Sequence, residues 1–445
     1  MKNPSILRAV ALAAATLALA SGASAQQMTT LKFIWEVKPT ANDFMTTQST
    51  YERDLFSSTN RGAIAYVPYA GIAGTVPLYR LVKNTDHMDS KVPNEGGYTN
   101  EGVTGYIWTS GAAVRGLGEL KRLVNPSTND HALVKAGDSI AGYTVVESPG
   151  AFGYPRYNKD AESLLAVSAG GVTVQSNKVA GGSIWSWNWG GFEFVNHLDY
   201  GREIQAAIDW TDSTGALHNP TEGGSSYSRF PDPGNNQGSP LYQATTAGNV
   251  HTTLAVPLEW NPQDFGGGPT NPVVYQDMLL GKEVTLDYRQ FGPVAKYVTK
   301  MTLGSPLSLA NLQAPAAFLS AQLNHYYTYD AISNQLQEIF PPTTDPSCLT
   351  GTNFTPPSGR GAIIVSDETR NFAMAIAGTT TAAGGKLQSF IAYDCRAAGN
   401  TSILSAYTGH TAQPAGDSTV TTFVVTEKLN NIPALLQKLR IAGDI

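Results

Sequence analysis

Apolar and polar positions alternate along most of this chain. The alternation is clear in LLAVSAGGVTVQS, VVYQDMLLGKEVTLDYRQF, AKYVTKMTL, YYTYD, GAIIVSD, FAMAIAGT, LQSFIAYD and TVTTFVVTEKL. A period of two marks strands with one buried face. Helical periodicity is persuasive only in LNNIPALLQKLR, near the end. The pattern predicts an all-β protein whose larger part is a two-sheet sandwich.

In the first third the alternation is itself periodic. One unit begins FIWEVKPTAND at Phe33 and ends RGAIAYV, a second begins LYRLVKNTDH at Leu78 and ends EGVTGYI, and a third begins LKRLVNPSTNDH at Leu120 and ends DSIAGYTV. One such unit cannot bury its own apolar face, so three are expected to close around a shared core. Three units of strands and turns predict a β-trefoil. Asp86-His87 and Asp130-His131 recur at equivalent places. The pair either fixes each turn, the favoured reading, or holds a sugar.

The repeats resemble a bacterial secreted domain whose units run roughly YRLYN…DHFYT…GY…EGIAGYV, β-trefoil-like and of undefined activity. The matching residues are Tyr79, Arg80, Leu81, Asp86, His87, Gly97, Tyr98, Glu101, Gly102, Gly105 and Tyr106. In the third unit they are Arg122, Leu123, Asn125, Asp130, His131, Gly142 and Tyr143. The first unit is degenerate, with Trp35 expected at the arginine position and Phe44 in place of histidine.

The remainder resembles the galactose-mutarotase-like supersandwich of carbohydrate-processing proteins. The resemblance lies in the ordered runs GGSIWSWNWGGFEFVN, LDYGREIQAAI, HNPTEGG, PLEWNPQD and GKEVTLDYRQF. It implies a sugar-facing concave sheet with Arg202 close by. The expected division is therefore a signal peptide over 1–25, a trefoil-like domain over 28–145, a linker over 146–164 and a β-sandwich over 165–445.

Composition narrows the setting. Lys2 and Arg8 precede an apolar stretch from Ala9 to Ala20, and Ala-Ser-Ala stands before Gln26. That is the layout of a cleaved secretory signal, too short to span a bilayer, with an uncleaved anchor as the alternative. The protein is expected to be exported, to the periplasm or beyond. Charged residues make up 14% and the net charge is -6, so no basic footprint for nucleic acid exists. Cys348 and Cys395 are the only cysteines. In an exported chain they are expected to pair, two free buried thiols being the alternative.

The densest chemistry lies in GGSIWSWNWGGFEFVNHLDYGREIQ, residues 181–205. Alternation would point Trp185, Trp187 and Trp189 to one face. A polar cluster of Asn196, His197, Asp199 and Arg202 follows. A flat aromatic face beside forked hydrogen-bonding groups suits a polyhydroxylated ring. The same packet fits a tryptophan-rich core with a solvated turn, and Arg202 also fits a salt bridge to Asp199 or Glu203. Asn219 and Trp260 are further candidates for substrate binding.

Glu222 is the candidate general acid or base. His325, in NHYYTYD, is the nearest match to a mutarotase histidine, although its flanking residues depart from that pattern and no partner glutamate stands out. Gly-x-Ser-x-Gly, His-Glu-x-x-His and phosphate-loop patterns do not occur, and no cofactor or metal is expected. The reading is an exported carbohydrate-recognition protein. A carbohydrate-active enzyme and a protein-binding surface module are its alternatives.

Overall fold

A computed structural model describes residues 26–56, 62–156, 164–196, 203–224, 238–261, 271–341, 351–380, 387–399 and 401–445. The three repeats fold into three matching units. They are β1 (Met28–Thr40), β2 (Asp43–Thr47) and β3 (Gly62–Pro68); β4 (Thr75–Lys83), β5 (Asp86–Ser90) and β6 (Thr99–Trp108); β7 (Gly118–Val124), β8 (His131–Lys135) and β9 (Thr144–Pro155). In each, a long first strand pairs on one edge with a short second strand and on the other with the third strand. Each unit thus contributes three strands, with an added short helix at Thr50–Leu55 in the first.

The structure corrects two expectations here. Of the expected linker over 146–164, residues 146–155 belong to β9, which pairs with both β7 and β3, and 157–163 lie outside the described residues. The arginine position of the first unit holds Glu36, not Trp35. Val37 opposes Met45 as Leu81 opposes Met88, which aligns Glu36 with Arg80. A register irregularity between Val37 and Thr40 shifts the count by one.

A separate apolar cluster joins the sandwich to the repeats. Met28, Thr29 and Thr30 of β1 pair with Tyr275, Val274 and Val273. Trp35, Tyr66, Trp108 and Tyr154 of the repeats pack in one cluster with Val256, Leu258 and Val274. At this seam the buried Arg156 guanidinium lies over the Tyr66 ring and donates to the Gly238 carbonyl at 3.1 Å.

Two antiparallel sheets face each other beyond the seam. In the first, Ile204–Thr211 pairs with Leu307–Ser320, then Thr401–Tyr407, Ser389–Cys395 and Thr352–Phe354 follow in order. The other edge of Ile204–Thr211 meets Ser183–Trp189 at one end and Pro220–Thr221 further along. Among the described residues the second sheet has nine strands, with Val294–Leu303, Gly416–Glu427 and Ala373–Thr379 at its centre. Trp187, Ile208, Leu312 and Phe390 of the first sheet meet Tyr297, Tyr326, Met374 and Val424 of the second.

The two sheets differ on their outer faces. Over the second lies the C-terminal helix Ile432–Ile441, where Leu435, Leu436 and Leu439 cover Tyr327, Ile364, Phe423 and Val425. Each fully buried leucine contributes about 2 kcal/mol. The first sheet turns polar side chains outward on the strands that carry Asp209, Asn311, Tyr393 and Tyr407, which makes it the chemically interesting face.

Candidate functional site

Alternation in Ile204–Thr211 sends Ile204, Ala206, Ile208 and Trp210 into the core. Asp209 therefore faces outward. Its register partner Asn311 donates Nδ2 to Asp209 Oδ2 at 2.9 Å. His410, whose side chain is 65% exposed, places Nε2 3.1 Å from Asp209 Oδ1. Tyr407 opposes Gln313 on the same sheet, and its hydroxyl lies 3.4 Å from that of Tyr393. Burial raises the Asp209 carboxyl above the usual carboxylate range, although the Asn311 and His410 contacts work against it. Burial likewise raises both phenols, and the Asp209 charge adds to it.

The cluster offers a carboxylate acceptor, an exposed imidazole, an amide and two phenols on one sheet face. Exposed Leu217 and Leu309 add apolar surface at the end of the strands that carry Asp209 and Asn311. Such a surface can take hydroxyls on one side and C–H groups on the other. It also juxtaposes a carboxyl held toward its neutral form with an imidazole, the two partners of proton transfer.

The residues singled out from sequence are placed elsewhere. The three tryptophans do not form one open platform. Gln175 pairs with Ser186 but Ser176 pairs with Ile184, so Trp185 is the extra residue of a bulge. Trp187 is fully buried in the sandwich core. Trp189 packs edge-on against Phe372 at the border of that core. Asn196 is buried, its backbone N–H donating to the Phe318 carbonyl at 3.1 Å. His197, Asp199, Arg202 and Cys348 lie outside the described residues, and Cys395 is buried at a strand end.

Glu222 is no solvent-facing acid or base. It is wholly buried in an ion pair with Lys282, also wholly buried. Its Oε1 accepts from Lys282 Nζ and Thr253 Oγ1, and its Oε2 from the Ala206 N–H at 3.0 Å. Lys282 donates further to the Gly182 carbonyl at 2.7 Å. Burial pushes the Glu222 carboxyl up and the Lys282 ammonium down, each opposed by the other's charge. The glycine that opens this packet is required. A Cβ on Gly181, at φ +62°, would lie 2.0 Å from the Glu222 carbonyl oxygen.

His325 stands on the second sheet, paired with Glu338 at 3.0 Å, away from the Asp209 face. Asn219 and Trp260 are brought together, the Trp260 N–H donating to the Asn219 carbonyl at 2.9 Å. They flank a hydrogen-bonded chain that runs inward from the partly exposed Asp212. Asp212 meets His218 Nε2 at 3.1 Å, His218 Nδ1 meets the Tyr275 hydroxyl at 2.9 Å, and that hydroxyl donates to Glu259 at 2.5 Å. His218 stacks on Trp210 with ring centres 4.7 Å apart. Among the described residues no His, Cys, Asp and Glu cluster fits a metal ion.

The carboxylates of the recurring Asp-His pairs join one unit to the next. Asp43 accepts from the His87 N–H at 3.1 Å, Asp86 from the His131 N–H at 2.9 Å, and Asp130 from the Phe44 N–H at 3.2 Å. The ring of three is closed. Both imidazoles place Nδ1 2.9 Å from the same carboxylates.

No protein family profile and no curated sequence matches the chain. Among solved structures it is similar to the Slr1438 protein from Synechocystis sp. PCC 6803, at 11% identity over 61% of this chain and 98% of that one, with a TM-score of 0.37. A proposed aldose 1-epimerase from Escherichia coli K12 aligns at 10% identity over 60% and 99%, with a TM-score of 0.32. Another from Klebsiella pneumoniae aligns at 10% over 65% and 86%, with a TM-score of 0.36.

Proposed function

We propose that this protein is exported and recognises a carbohydrate on the outer face of its first sheet, around Asp209. The observation that carries the reading is the Asp209 carboxylate between Asn311 and the exposed His410, with the Tyr393 and Tyr407 hydroxyls beside them. A sugar hydroxyl donates to the carboxylate, the phenols complete its hydrogen bonds, and a ring's C–H face finds aromatic and leucine surface. In this reading the three repeats form a rigid support joined to the sandwich through β1. Cys348 and Cys395 pair after export.

Retention on polysaccharide-containing gels tests it. Asp209→Asn keeps the shape but removes the charged acceptor, and is expected to weaken retention about tenfold with the melting temperature little changed. Unchanged retention by the folded variant overturns the assignment. A second reading, sugar chemistry, is favoured by the raised Asp209 carboxyl against His410. New reducing ends produced by the native protein and lost in Asp209→Asn would select it.

A further inference from the structure

A separate cleft of about 660 Å³ lies where the repeats meet the sandwich. One wall is the loop between β6 and β7, which carries Arg115. The other holds Leu241–Tyr242, Gln276–Asp277 and Gly304. Arg115 is exposed and makes no hydrogen bond or ion pair among the described residues, yet its charge acts on Asp277. Asp277 is fixed by the Gln27 N–H at 3.1 Å, and burial raises its carboxyl above the usual range. Tyr242 leaves 46% of its surface exposed.

The walls are shaped by close approach. A Cβ on Gly304 would fall 2.3 Å from Asp277 Oδ2, so only glycine lets the carboxylate sit there. Gly116, next to Arg115, has φ +80°, and a Cβ would press on Val256 at 3.0 Å. Both charged groups are thus presented from backbone that tolerates little change.

We infer that this cleft is a second carbohydrate subsite, taking a neutral sugar unit of the same glycan chain that the Asp209 face binds. Opposite charges that share a cleft without pairing suit a ligand with both donors and acceptors and no net charge. Sugar hydroxyls fork onto the Arg115 guanidinium and donate to Asp277, while the exposed Tyr242 ring takes a C–H face. The inference rests on the glycan reading above.

Titration of the full chain and of the chain beginning at Gln26 with a panel of neutral oligosaccharides tests it, beside gel retention. Arg115→Ala with Tyr242→Ala touches two exposed side chains and is expected to leave the melting temperature unchanged. Affinity for long oligosaccharides should fall about tenfold and the saturating ratio of short ones from two per chain to one. Binding lost in Asp209→Asn but intact in the Arg115/Tyr242 variant overturns the cleft alone. No binding by the native chain overturns both.

Discussion

The repeats and the outer face of the first sheet both gather carboxylates, imidazoles and phenols, and they use them in opposite ways. In the repeats the groups at the junctions between units are spent on one another. Asp86 takes the His131 backbone and ring and the Tyr98 hydroxyl, while Arg122 takes Glu95 and the Asp89 carbonyl. On the sheet, Asp209 is held from one side by Asn311 and from the other by a histidine that stands mostly in solvent. A saturated network specifies a fold; a network with an exposed member is available to a ligand. Residue types alone therefore do not mark the site.

The largest effect is expected where the sandwich buries charge. Lys282→Ala leaves Glu222 without its counter-charge in a site with no exposure, and should cost about 3–5 kcal/mol in a denaturant titration. Replacing both, as Glu222→Leu with Lys282→Met, should recover most of that. If the single variant is as stable as the native chain, the pair is not what organises this end of the sandwich.

A smaller loss is expected from the ring that joins the repeats, and pH reveals its sign. Burial works to raise the Asp86 carboxyl, but the His131 and Tyr98 hydrogen bonds outweigh it and leave it depressed. Its stabilisation is present above the unfolded value of 3.8 and is lost as pH falls through the folded value. His87 behaves oppositely. Burial lowers it, the Asp43 hydrogen bond and charge overcome that, and its stabilisation is present below 6.5 and lost as pH rises through the raised value. Asp86 and His87 together therefore support the ring best from about pH 4 to 6.5. Asp130, raised by burial, works against it as pH rises above 3.8. Asp86→Asn should cost about 1–3 kcal/mol at pH 5.5 and flatten the acid limb of unfolding midpoint against pH. A limb that keeps its slope would place the titrating group elsewhere.

Alternation alone made the sheets, the three units and the terminal helix legible, because one-sided burial writes a period of two or near four directly into residue order. What it could not convey was the single-residue irregularity. The bulge at Trp185 breaks the supposed aromatic platform, and the shift after Val37 puts Glu36, not Trp35, at the position that the other units fill with arginine. Long-range pairing was equally silent. The outward direction of Asp209 is readable in IQAAIDWT, but its partners Asn311 and His410 lie 102 and 201 residues away. Glu222 stood out as a candidate acid or base, yet it lies in a buried ion pair with Lys282, its backbone closely approached by Gly181.

The smallest expected change in stability carries the sharpest test of the contrast. His410 is mostly exposed and its bond to Asp209 spans 3.1 Å at the surface, so His410→Ala should alter unfolding by no more than about 0.5 kcal/mol. It should nevertheless weaken glycan retention severalfold, because the carboxylate loses one of the two groups that orient it and the ligand loses a donor. Asp86→Asn should do the reverse, lowering stability while each folded molecule retains glycan as before. Comparing the two at equal folded fraction separates support from site. If Asp86→Asn weakens retention as much as His410→Ala does, the repeats take part in binding through the ring itself, and the division between a saturated support and an open face fails.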